Sequence, residues 1–186
     1  MLASLLLLSL YQIAASEAVL VGDSGFVVTE VAGVQLGDAT SGLRFISQQG
    51  RGKVSDDGYV HHRYLNGSAD EVLDLVSYPG GSKGTFYRAD VRQARPSDIG
   101  RLPHVSVPKF ISGRGTTLGQ NRVTIVALLG TPESTTEGDG LVTLVYRCSN
   151  KKRCPILKKV NMPSYEARYV FRAEELVEFS IGMPYP

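Results

Sequence analysis

Apolar and polar residues alternate along much of this chain with a period of two. The alternation is clearest over Glu166–Arg172, where Ala167, Tyr169 and Phe171 alternate with three charged residues. Leu141–Arg147 shows the same period, and such alternation is typical of half-buried β-strands. Five further short segments are predicted to be strands: Phe26–Val31, Leu43–Ser47, Tyr59–Tyr64, Thr85–Val91 and His104–Phe110.

Three segments do not show a clean strand alternation. Arg122–Leu129 is apolar on both faces of a strand, so we expect a central strand covered on both sides. Ser68 and Glu71 form a capping box, and the apolar residues after them recur at helical spacing until Pro79. This pattern predicts one short helix near residues 69–77. Ala173–Phe179 fits either a helical turn or an extension of the last strand.

Glycine- and aspartate-rich turns separate the predicted strands, and strands do not alternate with helices along the chain. Many short strands at regular spacing predict a mainly β protein, an antiparallel β-sandwich with one short helix near residues 69–77. A β-barrel is the alternative, because the same pattern of short strands serves both architectures.

The N-terminal residues form the longest apolar stretch. Leu2–Ala15 is mostly apolar, is too short to cross a bilayer, and is followed by small residues up to Ala18. These features are typical of a secretory signal with cleavage after Ser16 or Ala18, although no positive charge precedes the apolar run. We therefore expect a signal peptide over 1–18 and a single β-rich extracellular domain over 19–186, with no transmembrane segment. A buried N-terminal helix or an uncleaved anchor is the other interpretation.

Composition limits the function classes without naming one. Hydrophobic residues make up 42% of the chain and charged residues 20%, as in an ordinary globular protein. The formal net charge of +2 is too small to indicate a nucleic-acid partner. We expect no cofactor, and the partner is expected to be an extracellular protein, a glycan or another anionic surface.

Two cysteines and a group of cations lie close together in the sequence. Cys148 and Cys154 are predicted to form a disulfide that closes a hairpin tip, because proximity in an oxidising compartment favours the bond. Five cations surround the pair: Lys151, Lys152, Arg153, Lys158 and Lys159. They form a candidate binding site for an anionic partner. The alternative is a solvated tip whose charge prevents edge-to-edge aggregation.

The segment Val19–Gly25 passes from apolar residues into Asp23 and Ser24. It resembles the catalytic turn of single-lobe aspartic proteases, and Leu128–Gly130 resembles an apolar-apolar-Gly element found later in those enzymes. Gly22 replaces the apolar residue that the family places before its aspartate, and the two elements lie far apart. An ordinary turn is the other interpretation of the same residues.

The shorter pattern Gly22–Ser24 resembles the nucleophile block of GDSL-type esterases, and with Gly25 it resembles the nucleophile of trypsin-like proteases. The esterases need a late Asp-x-x-His, and the proteases place their histidine upstream; all three histidines here lie downstream and none has that spacing. A secreted hydrolase using Asp23 or Ser24 is therefore the alternative function. The leading prediction is a secreted non-enzymatic recognition or structural domain; a small-molecule carrier would require a barrel with a cavity.

Two other groups of residues contain side chains that can act as metal ligands. His61 and His62 are neighbours on a predicted strand, so they point to opposite faces and do not easily share a metal ion. Glu133, Glu137 and Asp139 offer carboxylates for a weak Ca²⁺ site but lack EF-hand spacing. We therefore expect no metal site.

Asn66-Gly67-Ser68 is an N-glycosylation sequon. Gly67 and the capping residue Ser68 indicate an exposed turn at this point, as modification of Asn66 requires. Glycosylation at Asn66 is accordingly predicted for a host that glycosylates.

Overall fold

The computed structural model describes residues 25–49, 53–54 and 58–184. The strands in these residues are β1 (Glu30–Val31), β2 (Val34–Gln35), β3 (Lys53–Val54), β4 (Val60–Leu65), β5 (Glu71–Ser77), β6 (Arg88–Gln93), β7 (Ser134–Gly138), β8 (Leu141–Cys148), β9 (Tyr165–Arg172) and β10 (Glu175–Gly182). The helices are α1 (Ala39–Gln49), α2 (Arg122–Leu129) and α3 (Pro155–Lys159). The predicted signal peptide and the candidate residues Asp23 and Ser24 lie outside this part of the chain.

Eight strands form one antiparallel sheet in the order β3-β4-β5-β6-β10-β9-β8-β7, and β1 pairs with β2 in a separate hairpin. The large sheet consists of two four-stranded meanders, which meet at its centre where β6 pairs with β10. It is open, with β3 and β7 at its edges. The predicted mainly β, antiparallel fold is confirmed, and the arrangement is consistent with a sandwich whose second layer is small.

Strand alternation sorts the side chains of the sheet onto two different faces. One cross-strand row consists of buried residues: Tyr64, Leu73, Val91, Phe179, Tyr169 and Leu144. The next row along the strands is mainly polar: Arg63, Asp74, Asp90, Ser180, Arg168 and Val145. Because adjacent residues of a strand point to opposite sides, the first row faces the core and the second faces outwards.

The core face is covered by the β1–β2 hairpin, the three helices and long loops. Phe45 of α1 packs edge-on against Tyr64, with ring centroids 5.2 Å apart. The buried hydroxyl of Tyr165 accepts a hydrogen bond from the N–H of Val28 and donates one to its carbonyl. These contacts hold the segment that precedes the large sheet against the sheet's inner face. None of the helices in the described residues is long and apolar enough to span a membrane.

The predicted helix near residues 69–77 is wrong, because this segment is strand β5. It pairs with β4 on one side and β6 on the other, and both its faces are largely buried. Glu71 does not complete a capping box; its Oε2 accepts a hydrogen bond from the N–H of Phe110. Burial on both faces removes the period-two signal, so the apolar residues of β5 mimic helical spacing.

The predicted central strand over Arg122–Leu129 is also wrong, because these residues form α2. The side chain of Asn121 caps the helix by accepting a hydrogen bond from the N–H of Thr124 at 2.8 Å. Ile125 and Leu129, one helical turn apart, are the buried residues of α2. Although most residues of α2 are apolar, only a narrow stripe of the helix is buried against the core.

Residues 43–47 were predicted to be a strand but lie within α1. Both carboxylate oxygens of Asp38 cap the start of this helix, accepting hydrogen bonds from the N–H groups of Thr40 and Ser41. A Cβ atom at Gly42 would lie 1.8 Å from the carbonyl oxygen of Gly84, so only glycine lets α1 approach the loop between β5 and β6 this closely.

The remaining predicted strands differ in how well they match the structure. The segments at 59–64, 141–147 and 166–172 correspond to β4, β8 and β9, whereas 26–31 and 85–91 overlap only partly with β1 and β6. Residues 104–110 form no named strand and contribute a single bridge between Leu65 and His104. After a turn at 173–174, β10 folds back against β9 instead of extending it.

Candidate functional site

The two cysteines close a short ring at the end of the sheet. Cys148 is the last residue of β8, Cys154 directly precedes α3, and the two are joined by a disulfide with their Cα atoms 6.5 Å apart. The predicted pairing is confirmed. The ring is not a simple hairpin tip, because α3 follows it before the chain reaches β9, and the buried side chains of Cys154 and Leu157 attach the connection to the core.

The backbone of the ring is held by its own hydrogen bonds. Asn150 is central: its carbonyl oxygen accepts from the N–H groups of Arg153 and Cys154 at 3.0 and 2.9 Å. Its side-chain Oδ1 accepts from the N–H of Lys152 at 2.9 Å. The disulfide and this turn together fix the path of the chain, so the ring presents its side chains from an ordered support.

All five predicted binding cations are exposed. Lys151, Lys152 and Arg153 lie within the ring, and Lys158 and Lys159 lie in the last turn of α3. We call this set, from 151 to 159, the basic loop. The basic loop thus has three cations inside the covalently closed ring and two on the short helix that follows it.

Few carboxylates neutralise the basic loop. Within the described part of the chain, no ion pair within 4 Å joins Lys151, Lys152 or Lys158 to a carboxylate. Lys159 lies near Asp38, whose pKa is lowered mainly by the hydrogen bond from the Thr40 backbone and in small part by this lysine. Most of the positive charge consequently faces solvent.

A second polar site lies on the outer face of the large sheet, where strand alternation brings charged residues together. The cleft has a volume of about 430 Å³, and its lining residues include Asp74, Arg88, Asp90, Arg92, Glu166, Arg168, Glu178 and Ser180. The sequence analysis does not predict this cleft, although the alternating charges of β6 and β9 are a visible signal of a polar face. The cleft forms because strands that are distant in the sequence pair with one another and bring these charged residues side by side.

Asp90 lies at the centre of this cleft, directly opposite Asp74 in the strand register. It accepts hydrogen bonds from Ser180 Oγ at 2.5 Å and from Arg88 Nε at 3.0 Å. Burial raises the pKa of Asp90, and the neighbouring guanidinium of Arg88 opposes this effect. Asp74 accepts in turn from Arg63 Nε at 2.7 Å, so each of these facing carboxylates has its own cation.

The other arginines of the cleft are paired as well. Arg168 contacts Glu178 at 2.6 Å, and Arg92 makes a two-pronged contact with Asp98. Opposite charges therefore cancel locally. Since no aromatic ring is among the cleft's lining residues, it offers neither excess charge nor a stacking surface to a ligand. Several of these contacts link neighbouring strands across the outer face of the sheet.

The expectation that Asn66 lies on an exposed turn is wrong, because its side chain is fully buried. Its Nδ2 donates to Asp70 Oδ1 at 2.6 Å and to the carbonyl of Pro108 at 2.7 Å. Its Oδ1 accepts from the N–H groups of Asp70 and Glu71, both at 3.0 Å. The nitrogen that would carry a glycan thus connects the β4–β5 turn to a distant loop.

The histidines are separated in the way that strand geometry requires. The Nδ1 of His61 contacts Asp74 Oδ2 at 2.8 Å on the outer face, while His62 packs edge-on against Phe86 on the inner one. Burial lowers the pKa of His62. His104 is exposed. Among the described residues, no group of three or more His, Cys, Asp or Glu side chains is placed to hold a metal ion.

The remaining candidate residues lie around α2 and the edge strand β7. Glu133, Glu137 and Asp139 are exposed along this edge, and Glu137 contacts Arg122 at 3.6 Å. Leu128–Gly130, the segment similar to an aspartic-protease element, is the end of α2 and its C-cap. Its proposed partner Asp23 lies outside the described residues, so that resemblance stays a prediction.

Compared with protein families, curated proteins and solved structures, the chain matches none of them. Function is therefore inferred from the molecular surface. Of the predicted sites, the basic loop is the one whose members are all exposed, within or directly after a ring closed by a disulfide.

Proposed function

We propose that this protein is a secreted, non-enzymatic recognition domain that binds an anionic partner through the basic loop. The observation that carries the proposal is the disulfide-closed ring: it presents Lys151, Lys152 and Arg153 to solvent from a support anchored by buried Cys154. The exposed Lys158 and Lys159, in the last turn of the helix that follows the ring, add two further cations. The partner is an acidic glycan, an anionic lipid surface or an acidic protein.

The physical advantage of this arrangement is preorganisation. Ordering a flexible side chain on binding costs about 0.5–1.5 kcal/mol, and a mobile loop adds its backbone entropy. In the ring, the disulfide and the hydrogen bonds of Asn150 already fix the backbone. The favourable electrostatic energy of binding is then not spent on ordering the loop.

Secretion is part of the proposal, and it is supported by the same ring. Disulfides form and persist in oxidising compartments, whereas cytosolic thiols are kept reduced. The apolar N-terminal segment Leu2–Ala15 agrees with export, because its length and its small-residue boundary are typical of a signal peptide.

The test is a comparison of two variants with equal loss of charge. Lys151, Lys152 and Lys158 are replaced by serine in the loop variant, because none of the three is ion-paired with a carboxylate in the described part of the chain. Arg44, Lys83 and Arg101, all exposed, are replaced by serine in the control. Binding to immobilised heparin and to vesicles rich in phosphatidylserine is measured at increasing salt concentrations.

We expect the loop variant to bind the vesicles about a hundredfold more weakly, since each cation near an anionic membrane contributes about 1 kcal/mol. The control should retain most of the wild-type affinity, and both variants should keep the wild-type unfolding midpoint. Loss on heparin alone would indicate a glycan partner, and loss on vesicles a lipid one. Equal losses in the two variants, or none in the loop variant, would contradict the proposal.

A further inference from the structure

An apolar groove runs between α2 and the edge strand β7. The helix lies antiparallel alongside the strand, with Arg122 at its first turn within 3.6 Å of Glu137 near the far end of β7. The groove has a volume of about 700 Å³. Its apolar lining residues are Val123, Val126, Ala127, Pro132 and Leu144. Val123 is 74% exposed, which is unusual for a valine beside a hydrophobic core.

The edge of the sheet beside this groove is open. In the described part of the chain, β7 pairs with β8 and with no other strand, and all five of its residues are exposed. Unpaired edges are commonly blocked by lysine, proline or a bulge, because their free N–H and C=O groups bind other strands. The sequence of β7, Ser-Thr-Thr-Glu-Gly, contains neither lysine nor proline, and its one charged residue, Glu137, contacts Arg122 of α2.

The charges around the groove indicate what kind of strand would fit. Thr135 pairs with Leu144, whose side chain lies on the core face, so Glu137, two residues further along β7, lies on the same, groove-facing side. Glu133, which directly precedes β7, is among the residues that line the groove. One acidic side chain therefore stands two residues before Thr135 and another two residues after it. The apolar residues of α2 lie across the groove from them. Arg122 of the same helix also lines the groove and contacts Glu174 at 3.1 Å as well as Glu137, so a peptide cation opposite Glu137 would share this carboxylate with Arg122.

We propose that β7 binds an extended peptide as an additional strand of the sheet. Strand addition supplies affinity through main-chain hydrogen bonds and specificity through alternate side chains. The peptide's groove-facing residues would be basic, apolar and basic at successive alternate positions, opposite Glu133, Thr135 and Glu137. This site is independent of the basic loop, because it selects a cationic rather than an anionic partner.

The probe is the peptide acetyl-TKTLTKT-amide, which carries the basic–apolar–basic pattern on one face. Acetyl-TETLTET-amide reverses the charges, and acetyl-TTKLKTT-amide moves the lysines to the opposite face. Affinity is measured by calorimetry on the full chain, and hydrogen exchange of the β7 amides is followed with and without peptide. We expect the first peptide to bind at least about tenfold more tightly than either control and to slow exchange in β7.

Two variants of α2 form a matched pair for the groove. Val123→Ser removes an exposed apolar residue that lines it, and Leu128→Ser removes an exposed apolar residue of the same helix that does not. The first substitution should weaken binding about tenfold, whereas the second should leave it within about twofold. Equal effects of the two would overturn the proposal.

The edge itself is tested with Thr135→Pro and Thr136→Pro. Successive N–H groups of a strand point to opposite edges, so of the residues 135 and 136 one directs its N–H towards β8 and the other towards the open edge. Proline at the second of these positions removes an N–H group that the peptide would use and leaves the hydrogen bonds to β8 intact. The variant with this proline should lose peptide binding and keep its fold. Equal affinity for the three peptides would contradict strand addition. So would slow exchange of the β7 amides in the free protein, or a dimer paired through β7.

Discussion

Asn66 shows how strongly one side chain can connect distant parts of this chain. Its amide group makes four hydrogen bonds, three to the following residues Asp70 and Glu71 and one to Pro108, forty-two positions away. These hydrogen bonds connect the turn between β4 and β5 to the loop that contains Pro108, and the side chain of Asn66 is fully buried between them. The residue therefore acts as a structural connector in the folded protein.

Replacing Asn66 with alanine should destabilise the protein by about 3 kcal/mol, because it leaves several buried donors and acceptors without partners. Ser68→Ala is the matched control: it removes the sequon but changes an exposed residue. Chemical denaturation of both variants distinguishes the two roles of Asn66. If the control lost as much stability as Asn66→Ala, a glycan rather than the hydrogen bonds would be responsible.

At the scale of elements, the disulfide ring is stabilised by more than its covalent bond. In addition to the disulfide, the hydrogen bonds of Asn150 and the buried side chain of Leu157 in α3 hold the same connection in place. The ring is short, so opening it gives the unfolded chain little additional freedom.

Replacing Cys148 and Cys154 together with alanine should accordingly cost about 2 kcal/mol and leave the fold intact. Urea denaturation gives the free energy of unfolding, and circular dichroism reports the strand content. A variant without strand signal would show that the ring is required for folding. Thiol labelling of the wild-type protein under native conditions should give no signal, since both cysteines are paired.

Two of the elements were predicted with the wrong type for the same physical reason. The residues of β5 predict a helix and those of α2 predict a strand because both segments are apolar on more than one side. Local propensity differs by only a fraction of a kcal/mol per residue for such residues, so pairing and packing decide between helix and strand. β4, β8 and β9 carry polar residues on one face or at one end, and their type was predicted correctly.

For the whole molecule, the inner face of the sheet buries a set of tyrosines that link ionisation to folding. The fully buried members are Tyr64, Tyr146, Tyr165 and Tyr169. Burial raises the pKa of Tyr64 and of Tyr146 to about 12. It raises the pKa of Tyr165 and Tyr169 well above the ordinary value too, for the same reason.

A raised pKa stabilises the folded state below the unfolded value of 10.0, and this contribution is lost as pH rises from there through about 12. Stability should therefore fall steeply above about pH 10. Phenolate absorbance should show a late phase that coincides with the loss of circular dichroism. If all the tyrosine absorbance appeared while the strand signal was intact, the buried set would not be coupled to folding.

By itself, the sequence determined the mainly β class, the pairing of its two cysteines and the clustering of five cations. Each of these follows from local information. Period-two alternation indicates a strand with one face exposed to solvent, and a short separation in the chain brings the cysteines and the cations close together. The predicted export, and the alternative function of a hydrolase using Asp23 or Ser24, depend on residues 1–24, outside the described part of the chain, and stay predictions.

The tertiary structure decided the rest. The type of β5 and α2, the burial of Asn66, the charged cleft and the groove beside β7 each depend on partners far away in the sequence. The outer cleft exists because β6 and β10, which are far apart in the chain, pair at the centre of the sheet. No local pattern encodes such contacts, since they arise only when the two meanders close over one core.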